Sequence, residues 1–173
     1  MIKVAVVGHV EVVEFIRVPQ LPKGGEIAHA SELWEEVAGG GAVAAVQLAK
    51  LAGASTFFTA LGDDERGRAA PARLASFGVR TEAAWRAQPQ RRGIVFLDDA
   101  AERTITVVGP RHQASADDAL PYDELASVDA VYFTAGDLAA LQAARCAKVL
   151  VANPRGRHAL GHGVRLDALV LSA

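Results

Sequence analysis

The 173-residue chain contains one cysteine, Cys146, so no intrachain disulfide and no multi-thiolate metal site can be built from it. Zinc ribbons and iron–sulfur clusters are excluded on the same ground. Long apolar runs are missing too: residues 39–54 come nearest, but Gln47 and Lys50 interrupt them and the stretch is too short to span a bilayer. The opening Met1-Ile2-Lys3-Val4-Ala5-Val6-Val7-Gly8 has one basic residue and a short apolar core, the pattern of a strand rather than of a signal peptide. A cytoplasmic location is therefore expected. Charge of one sign is also lacking, with 18 basic against 20 acidic residues and a net charge of −2. The basic residues stand singly or in pairs such as Arg91-Arg92, so neither a phosphate-tracking nucleic-acid surface nor a membrane partner is expected. There is no internal repeat and no low-complexity linker. What remains, 51% hydrophobic and 22% charged residues, is a globular composition.

Short β-rich apolar runs alternate with helical stretches. Strands are predicted at 2–7, 55–59, 130–133, 149–151 and 168–171, and helices at about 41–52, within 65–77, and at 138–147. This rhythm argues for an α/β fold, a parallel sheet with helices on its faces. Two stretches break it. Residues 10–18 and 26–34 flank the turn-forming 19–25, and 93–97 and 104–108 flank 98–102, so each pair reads as a hairpin. The expected organisation is one α/β domain over 1–173, with excursions at about 10–34 and 88–109 that form a small inserted lid sheet. Pro71 removes a backbone donor inside 65–77, which predicts a helix that starts at Ala70 or kinks there.

Gly39-Gly40-Gly41 opens the Ala-rich helix. Glycines there let a ligand approach the backbone, where unpaired N–H groups and the positive dipole end suit an oxygen-rich or anionic group. The same glycines also serve close helix–sheet packing. Asp63 and Asp64 read as helix caps. His158 and His162 lie four apart, but Gly156, Gly161 and Gly163 argue for a solvated loop and no third ligand is evident. Glu11 and Glu14 follow the first strand, at the carboxyl edge where ligands of open α/β sheets collect; they suit sugar hydroxyls or the polar face of an edge strand. Gly136-Asp137 ends another strand and either faces the same crevice or caps the next helix.

In this order the pieces resemble the ribokinase-like carbohydrate kinases, the PfkB family. The matching segments begin with the strand ending in Gly8, Leu21-Pro22-Lys23-Gly24-Gly25-Glu26, and Gly39-Gly40-Gly41 opening a helix that ends in Leu51-Ala52-Gly53-Ala54. They continue through Gly62-Asp63-Asp64-Glu65-Arg66-Gly67, Phe77-Gly78-Val79, Arg92-Gly93-Ile94-Val95-Phe96-Leu97-Asp98 with Glu102-Arg103-Thr104-Ile105, Asn153-Pro154-Arg155, and Asp167-Ala168-Leu169-Val170-Leu171.

The resemblance implies a ribokinase-like sheet with a β-lid. It also implies an ATP- and Mg²⁺-dependent kinase acting on a hydroxyl of a sugar or nucleoside, and a homodimer formed through the lid sheets. A non-catalytic ligand-binding or regulatory homologue is the alternative. The family's base and anion hole come from a Gly-Ala-Gly-Asp motif that these 173 residues lack, so the chain resembles an N-terminal portion, inactive by itself, with its base expected beyond Ala173. The substrate contacts implied are the backbone of Gly39, Gly40 and Gly41, with Glu11, Val13, Ala44, Gly136 and Asp137. Val13 and Ala44 stand where the family carries an aspartate and an asparagine. On the nucleotide side the implied residues are Asn153 and Ser172.

Overall fold

A computed structural model describes residues 2–171. The chain enters the fold through β1 (Val4–Val7), four apolar residues that are all buried, as a central parallel strand covered on both faces must be. Around it stand β4 (Ser55–Gly62) and β8 (Ala130–Phe133), then β5 (Val79–Arg86) outside β4, and β9 (Val149–Ala152) and β10 (Ala168–Leu169) outside β8. The order is β10-β9-β8-β1-β4-β5, every pairing parallel.

Side chains of successive strand residues go to opposite faces and so build two cores. Ala5, Val7 and Phe58 join Leu125, Phe133 and Leu150 under α3 (Leu138–Ala144), while Val6 and Phe57 join Ala42, Ala45 and Leu74 under α1 (Gly40–Ala52) and α2 (Glu65–Ala75). α1 closes on Gly53, whose φ of 91° lets its N–H reach back to Ala49 O, a left-handed cap that glycine accepts readily. A one-turn helix, α4 (Arg157–Leu160), follows β9.

The second sheet has four strands in the order β3-β2-β6-β7: β2 (Glu11–Arg17), β3 (Glu32–Ala38), β6 (Arg92–Leu97) and β7 (Arg103–Val108). β2 pairs antiparallel with β3 and parallel with β6, and β6 antiparallel with β7. The second excursion therefore falls within 88–109. The first runs on to Ala38, and its second arm is 32–38 rather than 26–34. The register is fixed by Phe15 stacked on Trp34, ring centres 5.0 Å apart, which leaves residues 26–31 outside the ladder.

Three further expectations are corrected. α2 runs unbroken from Glu65 through Pro71, because the Asp64 carboxylate caps it on Gly67 N at 2.9 Å and Ala70 and Leu74 are buried; cap and burial outweigh the one backbone bond that proline removes. β5 has no counterpart in the sequence reading, since its alternation of Val79, Thr81 and Ala83 with charged residues is a weak apolar signal. Residues 157–160 form a helical turn despite the flanking glycines, although both His158 and His162 are exposed. No helix among the described residues is long and apolar enough to cross a membrane.

Candidate functional site

The two sheets meet where β1 ends and α1 begins. A Cβ on Gly8 would lie 2.5 Å from Thr134 Oγ1 and 2.7 Å from Gly41 Cα, and one on Gly41 would lie 2.7 Å from His9 N. Backbone therefore packs on backbone at this corner, and Gly41 donates its N–H to His9 O at 3.1 Å. Gly39 takes φ of 89° and passes so close to β2 that a Cβ would sit 2.8 Å from Glu11 N. Gly40 differs: a Cβ there would meet only the side chains of Arg155 at 3.3 Å and His9 at 3.4 Å. The packing role thus belongs to Gly39 and Gly41, and Gly40 is the one that leaves room beside the helix end.

Two buried polar atoms at this corner, His9 Nδ1 and Thr134 Oγ1, have no hydrogen-bond partner among the described residues. Both residues are almost fully buried, at 3% and 0% exposed, and an unpaired buried polar group costs on the order of 1–3 kcal/mol. Thr134 directly follows β8 and His9 comes two residues after β1, so both stand at the carboxyl edge of the large sheet, where open α/β folds bind their ligands.

The other residues expected at the site divide. Glu11 is at the corner, but its carboxylate is engaged by Arg91 Nε at 2.7 Å and by His9 Nε2 at 3.4 Å. His9 first, and Arg91 after it, hold the Glu11 carboxyl down to about 2 against the opposing effect of burial. Glu14 lies farther along β2 and is ion-paired to Arg92 and, at 3.2 Å, to Arg66. All of these contacts fall on Oε1, and Oε2 of each glutamate has no partner among the described residues.

Val13 is buried against Gly93 of β6 and offers only methyl groups. Ala44 lines a separate apolar hollow of about 370 Å³ with Leu48, Tyr132 and Val151, so it is not brought together with Glu11. Gly136 packs on Phe133, whose ring would lie 3.0 Å from a Cβ there. Asp137 caps α3 on Ala140 N at 2.7 Å and also accepts from Ser115 Oγ at 2.6 Å and Ala116 N at 3.2 Å. Burial raises its pKa, yet these three bonds outweigh that and hold the carboxyl below its ordinary value. This aspartate follows Thr134-Ala135-Gly136 and serves as the cap of α3.

The residues implied on the nucleotide side are Asn153 and Ser172. Asn153 is buried and doubly engaged: Oδ1 accepts from Arg155 N at 3.0 Å, and Nδ2 donates to the Tyr132 hydroxyl at 2.9 Å. Ser172 lies outside the described residues. No group of three His, Cys, Asp or Glu side chains stands close enough to hold a metal ion among the described residues.

Sequence reasoning missed His9, Thr134 and Arg155. His9 directly follows the strand-ending Gly8, and Arg155 sits in the recognised Asn153-Pro154-Arg155, so both had a local signal. Only the fold shows which polar atoms are left without partners.

Comparison with known proteins agrees with this architecture. A model described as pfkB family carbohydrate kinase matches residues 1–157. No curated protein matches the chain significantly. Among solved structures it is similar to a ribokinase from Thermotoga maritima, with 20% identity and a TM-score of 0.72 over 98% of this chain and 59% of that one. An Arabidopsis thaliana ribokinase complexed with ribose and ATP matches at 20% identity and a TM-score of 0.64, over 90% of this chain and 55% of that one. Phosphofructokinase-2 from Escherichia coli, in complex with potassium, matches at 16% identity and a TM-score of 0.74, over 98% and 60%. At such identities the likeness shows the fold, and this chain spans between 55% and 60% of the length of these three relatives. With the family model running over 157 of 173 residues, the chain belongs to the pfkB carbohydrate kinases.

Proposed function

We propose that this chain is the substrate-holding part of an ATP-dependent kinase that phosphorylates a hydroxyl of a sugar or nucleoside-like molecule. The observation that carries the reading is the corner itself. The open side of Gly40 and the unpartnered His9 Nδ1 and Thr134 Oγ1 converge where β1 and β8 end and α1 begins. Backbone amides at a helix start and buried unpaired polar atoms are what a small polyhydroxylated molecule needs in order to be held in one orientation. The residues described hold and orient substrate. No proton transfer or phosphoryl step is assigned to them, and none is routed through ATP or Mg²⁺. The small sheet, whose β2 starts at Glu11 beside the corner and pairs with β6, is the part read as a lid. The fully exposed β7, with Ile105, Val107 and Val108 outward, supports pairing with a second copy, which light scattering on the eluted protein tests.

The test is a hydroxyl-acceptor screen with ATP and Mg²⁺ on the whole protein, reading ADP release, alongside Gly40→Val. Turnover on at least one polyol, lost in Gly40→Val without a fall in melting temperature, is the expected result. A second reading is favoured by the engaged Glu11 and the apolar Val13 and Ala44, namely a non-catalytic ligand-binding homologue. It predicts a ligand-induced thermal shift with no ADP release.

A further inference from the structure

We propose that Arg66 is the catch of a salt-sensitive latch between the small sheet and α2, through which dissolved ions change how the small sheet stands against the large one. The inference stands apart from the substrate-holding role and holds whatever molecule the corner takes.

The register of β2 and β3 carries the argument. Glu14 stands directly opposite Glu35 in that antiparallel pair, and like charges so placed push two strands apart. The small sheet balances one of them from its own side chains: Arg92 of β6 donates from Nε to Glu14 Oε1 at 3.0 Å. Glu35 has one ionic partner among the described residues, Arg66 of α2. Arg66 donates from Nε to Glu35 Oε2 at 2.8 Å and from Nη2 to Glu14 Oε1 at 3.2 Å. One guanidinium, borne by the helix, thus lies across a repelling pair within the sheet.

The seam beneath this bridge is not packed as a core. A hollow of about 120 Å³ lies between Val12 and Val37 of the sheet and Ala69 of the helix, edged by Arg66, Arg73, Glu35 and Glu36. Val37 is the one small-sheet side chain that joins the apolar cluster under α2 among the described residues. Arg73, two turns on from Arg66, holds Glu36 at 2.8 and 3.2 Å. The charged side chains of these pairs are between 21% and 46% exposed, so dissolved ions reach them. The seam can therefore open while uncovering little apolar surface, and once Arg66 withdraws the two glutamates face each other. A latch of this kind is asymmetric. Removing Arg66 leaves the repulsion in place, whereas removing Glu35 abolishes the repulsion together with the bond.

The experiment measures the separation of the two parts by pulsed electron paramagnetic resonance on the whole protein. Spin labels are carried by Asp99→Cys, on the far turn of the small sheet, and Ala72→Cys, on α2, both exposed positions, with the exposed Cys146 removed as Cys146→Ser. Raising the salt from about 0.1 M to about 1 M shortens the screening length from about 10 Å to about 3 Å, the span of one ion pair. The expected result is a shift and broadening toward longer distances as salt rises. Arg66→Gln should show the longer distances already at low salt and respond little to more, while Glu35→Gln should stay closer to the unaltered protein. Amide hydrogen exchange within β2 and β6 should stay slow throughout, which separates movement of an intact sheet from its unravelling.

Distances that ignore salt overturn the inference, and that arm needs neither variant to fold. Equal distances in Arg66→Gln and Glu35→Gln overturn it as well, since the pair would then be an ordinary surface contact. Faster exchange in β2 and β6 at high salt also overturns it, because the bridge would then hold the sheet together rather than in place. None of these outcomes touches the substrate-holding role, which the acceptor screen tests separately.

Discussion

The two sheets of this molecule are held in place by different forces. The large sheet is positioned by burial: all four residues of β1 are buried, and apolar clusters on both faces lock the helices to it. The small sheet meets α2 through ion pairs, Arg66 to Glu14 and Glu35 and Arg73 to Glu36, with Val37 alone of its side chains packed against the cluster that holds Leu74, while β7 is exposed along its whole length. Exposed ion pairs contribute only about 0–1 kcal/mol each and are screened by salt. The small sheet can therefore shift against α2 at little cost while the large sheet stays intact, a division of labour that suits a closing element over a fixed floor.

The largest effect should come from the floor. Phe57→Ala removes a fully buried ring and should cost about 3–5 kcal/mol, read as a lower denaturant midpoint. Next comes Gly41→Ala, whose Cβ would press on the backbone of Gly8 and His9; overpacking of about 1–3 kcal/mol is expected, whereas Gly40→Ala should be close to neutral because only the ends of two side chains must move. If the two glycine variants behave alike, the distinction between them fails.

Acid should then separate the sheets. The Glu11 carboxyl is held at about 2 in the folded protein against 4.5 ordinarily, so the stability it contributes is complete above about 4.5 and is lost as pH falls toward 2. Denaturant melts across that window should show a flatter pH dependence in Glu11→Gln than in the unaltered protein. The smallest effect belongs to Arg73→Ala, which removes the Glu36 pair and a cation–π contact 4.6 Å from the Phe77 ring. A loss of about 1 kcal/mol or less that shrinks in high salt is expected. A large, salt-independent loss would place the small sheet under the same forces as the large one.

The large sheet was legible in the sequence because burial on both faces writes itself as uninterrupted apolar runs: β1, β4, β8 and β9 all fall where such runs stand. β5 was not, because it lies at the edge and shows charged residues on one side. The first arm of the small sheet was legible and the second was displaced, since what sets the β2–β3 register is the meeting of Phe15 with Trp34, a tertiary event. At the corner, the glycines announced a backbone-lined site, but their individual roles depend on what each faces across space. Of the residues carried over by resemblance, Glu11, Asp137 and Asn153 are polar at the expected positions, and a sequence does not show which partners within the chain each of them has. Arg155 shows the converse, an ordinary residue in the sequence whose side chain comes to lie beside Gly40 only in the folded chain.

Gln90 is 2% exposed and makes three hydrogen bonds: Oε1 accepts from Gly62 N at 2.9 Å, Nε2 donates to Val10 O at 2.9 Å, and its own N–H donates to the Asp64 carboxylate at 3.0 Å. Those partners belong to the end of β4, the passage from β1 into β2, and the cap of α2, and Gln90 itself precedes β6. One residue, by its side chain and its own N–H, thus ties together the end of β4, the passage from β1 into β2 and the start of α2. A movement of the small sheet that kept these bonds would pivot at Gln90, beside the start of β2, and would carry the turn of residues 98–101, at the far end of β6, through the longest path.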